Sequence, residues 1–206
     1  EIGNMAYADF RADIADLLDN VEHGSRRISA FVSNLREFSR FNSDVSEAWV
    51  DLRQVVDKAT AICRARLKSD VESFTVHVPE GLPRIWSDAA ALEQILLNLL
   101  INAAQAVEKQ GARVRLSAAV QDQWGDHVVI EVTDNGCGMD AETRQKVFEP
   151  FFSTKSREEG AGLGLYVCQN LVERLRGRIE IESAPGKGST FRVILPDKER
   201  RRQQRL

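Results

Sequence analysis

Apolar residues recur at alternating spacings of four and three through the first 40 positions: Phe10, Ile14, Leu17, Val21, Gly24, Ile28, Phe31, Leu35 and Phe38. That period belongs to a helix burying one narrow seam against a partner helix. A helix over 6–40 is about 50 Å long, and its stripe needs a second helix, from this chain or from a second copy, or the surface of its own domain. The pattern therefore predicts a homodimer formed through the heptad helix 6–40. Gly24 weakens that helix by up to ~1 kcal/mol relative to Ala and carries no functional reading.

The pattern changes after this helix. Residues 41–50 are polar and irregular and read as a linker. Asp51 stands as an N-cap with Gln54 at capping-box spacing, and Val55, Val56, Ala59, Ile62 and Cys63 then form a helical stripe. Ser73–Val78 alternates like a strand, with His77 as an ordinary strand residue, and Pro79–Pro83 is a turn. Asp88 caps a helix, Ala89–Val107, that is apolar nearly all round and so predicted to be buried. Arg113–Gln121 and His127–Thr133 read as two strands joined by a turn. A short helix is expected near Ala141–Val147 and a longer one at Leu163–Arg176. A final hairpin joins Arg178–Ser183 to Thr190–Leu195. The order helix, strand, helix, strand, strand, helix, strand, strand predicts an α+β fold: a two-layer α/β sandwich with a mixed sheet, preceded by the long dimerisation helix. Three regions follow: a dimerisation helix over 1–42, a glycine-loop domain over 50–196, and a charged tail over 197–206 that reads as a solvated end.

Composition narrows the classes. Lys+Arg number 28 against 31 Asp+Glu, a net charge of −3, so no basic excess points to nucleic acid. A 43% hydrophobic, 29% charged chain is too apolar for disorder. It has no apolar run of ~18 residues to span a bilayer and no opening signal peptide. Cys63, Cys137 and Cys168 are odd in number and irregularly spaced, which argues against a disulfide framework or zinc site and for a reducing, cytoplasmic setting. His23, His77 and His127 have no metal-ligand spacing.

The candidate chemistry lies in five short segments. Asn98 and Asn102 are four apart on one face of the buried helix. Two carboxamide oxygens there can hold a hard cation such as Mg²⁺ together with phosphate oxygens and water, or each Asn bonds neighbouring backbone. Asp134-Asn135-Gly136-Cys137-Gly138 follows a strand directly. A carboxylate at a strand end can accept from an exocyclic amine, and glycines let backbone approach a flat ring, which suits an adenine pocket as well as a plain turn. Gly160 to Leu165 (GAGLGL) opens a helix, where unsatisfied N–H groups favour phosphate; it is neither a Walker loop nor a Rossmann turn. Phe148 to Lys155 (FEPFFSTK) precedes a polar stretch and suggests a lid. Lys155 reaches a terminal phosphate or is a solvated surface lysine. Gly186 to Phe191 (GKGSTF) forms the last turn, where Thr190 offers a hydroxyl to the pocket or is part of an ordinary hairpin.

As an ordered set, these segments over ~50–196 closely resemble the ATP-binding domain of two-component sensor histidine kinases, within the superfamily of gyrase, Hsp90, histidine kinases and mismatch-repair ATPases. Asn98 and Asn102 match the N box; Asp134, Gly136 and Gly138 the first glycine box; Phe148 to Phe152 the F box; Gly162 and Gly164 the second glycine box; Gly186, Gly188 and Thr190 the closing motif. The resemblance implies ATP and Mg²⁺ as cofactors, with Asp134 on the adenine amine and Asn102 with Asn98 on Mg²⁺. It also implies nucleotide contacts from Gly136, Gly138, Met139, Phe152, Lys155, Gly162, Leu163, Gly164, Leu165 and Thr190, a lid over 146–162, and Asn98 and Lys155 as the groups nearest the chemistry.

Residues 17–40 resemble the second helix of a dimerisation and histidine-phosphotransfer hairpin. The HExxN-like acceptor motif of a first helix is absent, and His23 is followed by Gly24, so His23 is not read as the acceptor. The resemblance then implies the carboxy-terminal part of a longer kinase, with the acceptor His, the sensor domain and any membrane anchor upstream of Glu1. The implied function is ATP-dependent phosphorylation of that His and relay to a response-regulator receiver Asp, without autophosphorylation of this chain alone. Two alternatives stand beside it. An ATP-hydrolysing clamp would carry a Glu one turn before the magnesium Asn, where this chain has Asn98, so its hydrolysis should be slow. A nucleotide-binding pseudokinase would only scaffold a dimer.

Overall fold

The structure is a computed structural model that describes residues 46–107, 110–121, 127–154 and 162–196, together with Asp13, Ile14, Leu17, Leu18, Val21 and Gly24. Those six early residues are helical, and Ile14, Leu17, Leu18 and Val21 expose their side chains. The rest of the expected helix 6–40, and the tail 197–206, lie outside the described residues.

The elements in chain order are β1 (Ala48–Val50), α1 (Leu52–Asp70), β2 (Ser73–His77), β3 (Ile85–Ser87), α2 (Ala89–Ala106), β4 (Arg113–Gln121), β5 (His127–Asp134), α3 (Ala141–Lys146), α4 (Gly164–Arg174), β6 (Arg178–Ser183) and β7 (Ser189–Pro196). Five strands form one sheet in the order β2-β4-β5-β7-β6. β2 pairs with β4 in parallel and every other pair is antiparallel, so the sheet is mixed, as the sequence predicts. α1 and α4 pack on α2, and α2 packs on β4 and β5, which gives the two-layer α/β sandwich.

Each helix starts for a local reason. The Asp51 carboxylate accepts from Arg53 N at 2.9 Å, satisfying one orphan donor of α1. Asp88 accepts from Ala90 N and Ala91 N at 2.9 and 3.1 Å and faces Arg174 of α4 at 3.7 Å. The core lies on α2, whose Leu92, Ile95, Leu96, Leu99 and Leu100 are fully buried. Leu116 of β4, Ile130 and Val132 of β5, and Val193 of β7 close it from the sheet. Burying side chains of this size contributes ~1.5–3 kcal/mol each.

The stretch 41–50 is not linker throughout, because β1 pairs antiparallel with β3, setting Trp49 opposite Trp86. Their rings meet edge to face with centroids 5.5 Å apart, and Trp86 Nε1 donates to Glu47 at 2.9 Å. Strands of three residues carry too little alternation to be read, and this ribbon is held by aromatic contact.

Candidate nucleotide site

α2 organises the site. Asn98, Asn102 and Ala106 are spaced by four and so share one face. Asn98 Nδ2 donates to the carbonyl of Gly164, the first residue of α4, at 3.3 Å. A Cβ placed on Gly164 would lie 3.8 Å from Asn102 Nδ2 and 3.9 Å from Asn98 Cγ. The two carboxamides therefore stand at the amino-terminal end of α4. Leu163, at the cap position of that helix, supplies no side-chain hydrogen bond, so no side chain caps its first-turn N–H groups there, and helix starts of that kind accommodate phosphate oxygens.

One turn beyond Asn102, the carbonyl of Ala106 accepts from Cys137 N at 3.0 Å. The loop after β5 is thereby docked on the same helix. Asp134, at the end of β5, is 5% exposed. Its Oδ1 accepts from Gly136 N at 2.8 Å and from Ser189 N at 3.3 Å. Two backbone donors hold the carboxylate in place at the end of the strand. Gly136 is required by space: a Cβ there would run into the Ala106 carbonyl oxygen, its carbon at 2.5 Å, and Asp134 Oδ1 at 2.9 Å. Gly188 is required by both space and conformation, with φ +79° and the Asp134 carbonyl where its Cβ would be.

Gly138 and Met139 continue this loop, and Met139 N donates to Ser183 Oγ at 2.8 Å. At the other side of the site, Phe151 N donates to the Gly162 carbonyl at 2.9 Å, and Phe152 and Leu165 are half-buried. Lys155 lies outside the described residues.

Thr190 stands apart from Asp134. It pairs with Thr133, and their hydroxyls are 3.1 Å apart. Strand residues alternate between faces, so Thr190 shares the face of Thr133, Glu131 and Arg192, opposite to that of Asp134. Arg192 there sits between Glu131 and Glu182 at 2.8 and 2.6 Å and holds the Glu182 carboxyl below the usual carboxylate range. The hydroxyl on the Asp134 face belongs to Ser189, which is 5% exposed. Counting alternation back from buried Phe191 would have distinguished Ser189 from Thr190. Ser183 had no motif to mark it.

Among the described residues no group of three or more His, Cys, Asp or Glu could hold a metal ion. A cation here would need ligand phosphates beside the carboxamides. Asn102 fits that task, because it makes no side-chain hydrogen bond to another described residue. Asn98 Oδ1 already accepts from Gln94 Nε2 at 3.4 Å. A groove of about 240 Å³ lies beside the first glycine loop, lined by Gln110, Gly111, Ala112, Asn135, Gly136, Cys137 and Gly186; Asp134 and the two asparagines do not line it.

Cys168 lies buried under Asn98. Burial pushes its thiol up from the ordinary 9.0 to about 12, with the Asn98 hydrogen bond pulling slightly the other way. Between pH 9 and 12 the folded chain then holds a proton that the unfolded chain has lost, so stability is full below pH 9 and falls as pH rises. Urea midpoints measured from pH 8 to 11 should decline, and Cys168→Ala should remove part of that slope.

The chain belongs to a known family. The family described as histidine kinase-, DNA gyrase B- and HSP90-like ATPase matches residues 87–199, which contain α2, both glycine loops and the final hairpin. The sensor histidine kinase ZraS of Klebsiella oxytoca is 39% identical over 170 residues, 82% of this chain and 36% of that protein. This chain thus spans about a third of such relatives. Among solved structures, a mycobacterial sensor histidine kinase, MprB, superposes with TM-score 0.62 at 29% identity, over 73% of this chain and 97% of that one. Full-length ShkA, in complex with AMPPNP, superposes with TM-score 0.71 at 27% identity over 94% of this chain and 40% of that one.

Proposed function

We propose that this chain is the ATP-binding catalytic part of a sensor histidine kinase. It binds ATP with Mg²⁺ and positions the γ-phosphoryl group for transfer to a histidine on a helix that this sequence does not contain, for relay to a response-regulator aspartate. One observation carries the reading: a single face of α2 joins two opposite ends of a site. At Asn98 and Asn102 it meets the open start of α4, suited to phosphates. At Ala106 it meets the loop that holds the buried Asp134, suited to the base.

The division of labour follows from these positions. Asp134 accepts the adenine amine and excludes bases that present an acceptor there. The first turn of α4 receives phosphate oxygens. Asn102, with Asn98, holds Mg²⁺, which neutralises charge on the phosphates when bound. Phosphoryl transfer needs mainly alignment and electrostatic stabilisation. Residues 1–42 serve as the dimerisation helix, so the working unit is a homodimer, and a receiver domain is its downstream partner. No described helix is long and apolar enough to cross a membrane.

Calorimetry and labelled ATP test the proposal together. The chain should bind ATP, and Asn102→Ala should weaken ATP about tenfold or more with Mg²⁺ present but little in EDTA. The chain alone should acquire no acid-labile label, whereas a supplied helical hairpin carrying an acceptor His should. Brisk steady-state hydrolysis without transfer would replace the kinase by a hydrolytic clamp, and nucleotide binding without transfer to any supplied hairpin would leave a scaffold.

A further inference from the structure

A row of polar side chains crosses three strands on the helix-covered side of the sheet. Asp134 of β5 pairs with Ser189 of β7, and Ser189 pairs with Ser183 of β6. Cross-strand partners share a face, so the three side chains form one line at the sheet end where the first glycine loop and the closing turn lie. Ser183 links several segments. Its hydroxyl accepts from Met139 N at 2.8 Å, donates to the Gly188 carbonyl at 2.9 Å, and lies 3.1 Å from the Ser189 hydroxyl. Met139 ends the first glycine loop, and Gly188 and Ser189 belong to the closing turn. A second tie between the same two segments is a backbone bond, Gly186 N to the Cys137 carbonyl at 2.7 Å.

We infer that Ser183 is a positioning residue for base recognition: one hydroxyl sets the Gly138–Met139 backbone and orients the Ser189 hydroxyl beside Asp134. This rests on the adenine-nucleotide reading above. A hydroxyl is suited to the task because it accepts one hydrogen bond and donates another at the same time, so it can clamp an N–H of one loop to a C=O of the other. Alanine at this position removes both bonds and leaves the two segments tied by the Gly186–Cys137 backbone bond and by Ser189 N on the Asp134 carboxylate. Threonine keeps the hydroxyl and suits the end of a strand.

The effect belongs to the base end of the site and not to the phosphate end. Ser183→Ala should therefore weaken ATP and ADP by the same factor, about fivefold to tenfold for the loss of a neutral hydrogen-bond pair. The factor should be equal with Mg²⁺ and in EDTA. The unfolding midpoint of the nucleotide-free chain should fall only modestly, since both bonds exist without nucleotide, and Ser183→Thr should restore affinity. Calorimetry of the wild type, S183A and S183T with both nucleotides, alongside urea unfolding, provides the test. If the wild type binds and S183A binds equally well, the role of Ser183 is overturned while the nucleotide reading stands. A loss seen only with Mg²⁺, or one that tracks an equal loss of fold stability without rescue in S183T, overturns it too. No binding by the wild type overturns both.

Discussion

Asp134→Asn is expected to weaken ADP binding by about 10²- to 10³-fold. A carboxylate can accept at both oxygens, and Oδ1 of Asp134 takes two backbone donors, Gly136 N and Ser189 N. An asparagine has one oxygen and one amide group. If the oxygen faces the backbone donors, the amide points at the ligand amine, donor against donor. If it flips, the amide meets Gly136 N and Ser189 N inside a buried site. Either way a charge-assisted bond is lost and a donor is left unpaired, which together cost ~3–4 kcal/mol. Calorimetry with ADP reads this directly, and circular dichroism checks that the fold persists. An affinity within threefold of wild type would mean that Asp134 does not read the base.

The second large effect falls on stability. Gly136→Ala should destabilise the domain by about 3 kcal/mol, because its Cβ meets backbone atoms: the Ala106 carbonyl carbon at 2.5 Å and the oxygen closer still. Neither the end of α2 nor the loop can yield without breaking the Cys137–Ala106 bond. Gly186→Ala provides the control. It has φ +70° but nothing within 4 Å of a Cβ, so only backbone strain of ~1 kcal/mol is expected. Equal urea midpoints for the two variants would show that the close approach at Gly136 is relieved cheaply.

The large elements were legible because their periodicity is long. α2 reads as buried from its sequence and is buried in the structure; the β4–β5 and β6–β7 strands alternate clearly, and glycines bound the loops. The ribbon β1–β3 was not legible, since three residues define no period and its glue is one pair of indoles. The site was partly legible. The proximity of Asn98 and Asn102 follows from spacing alone, but their meeting with Gly164 is a tertiary contact. Thr190 illustrates the limit: the motif points to Thr190, whereas the structure puts that hydroxyl on the face opposite Asp134 and Ser189 on the same face, because a shift of one residue in a strand exchanges the two faces of a sheet. Ser183 could not be found at all, since a serine ending a strand carries no local signal, and its role exists only once two loops converge on it.

The parallel pairing of β2 with β4 has a consequence for local opening. β2 is an edge strand with one neighbour, most of its side chains are exposed, Val76 among them, and its register cannot be reset by a tight turn, since the whole of α2 separates it from its partner. Amide hydrogens of β2 are therefore placed to exchange with solvent water ahead of those of β5, which is flanked on both sides. The sheet can loosen at that margin while the strand carrying Asp134 keeps its ladder intact.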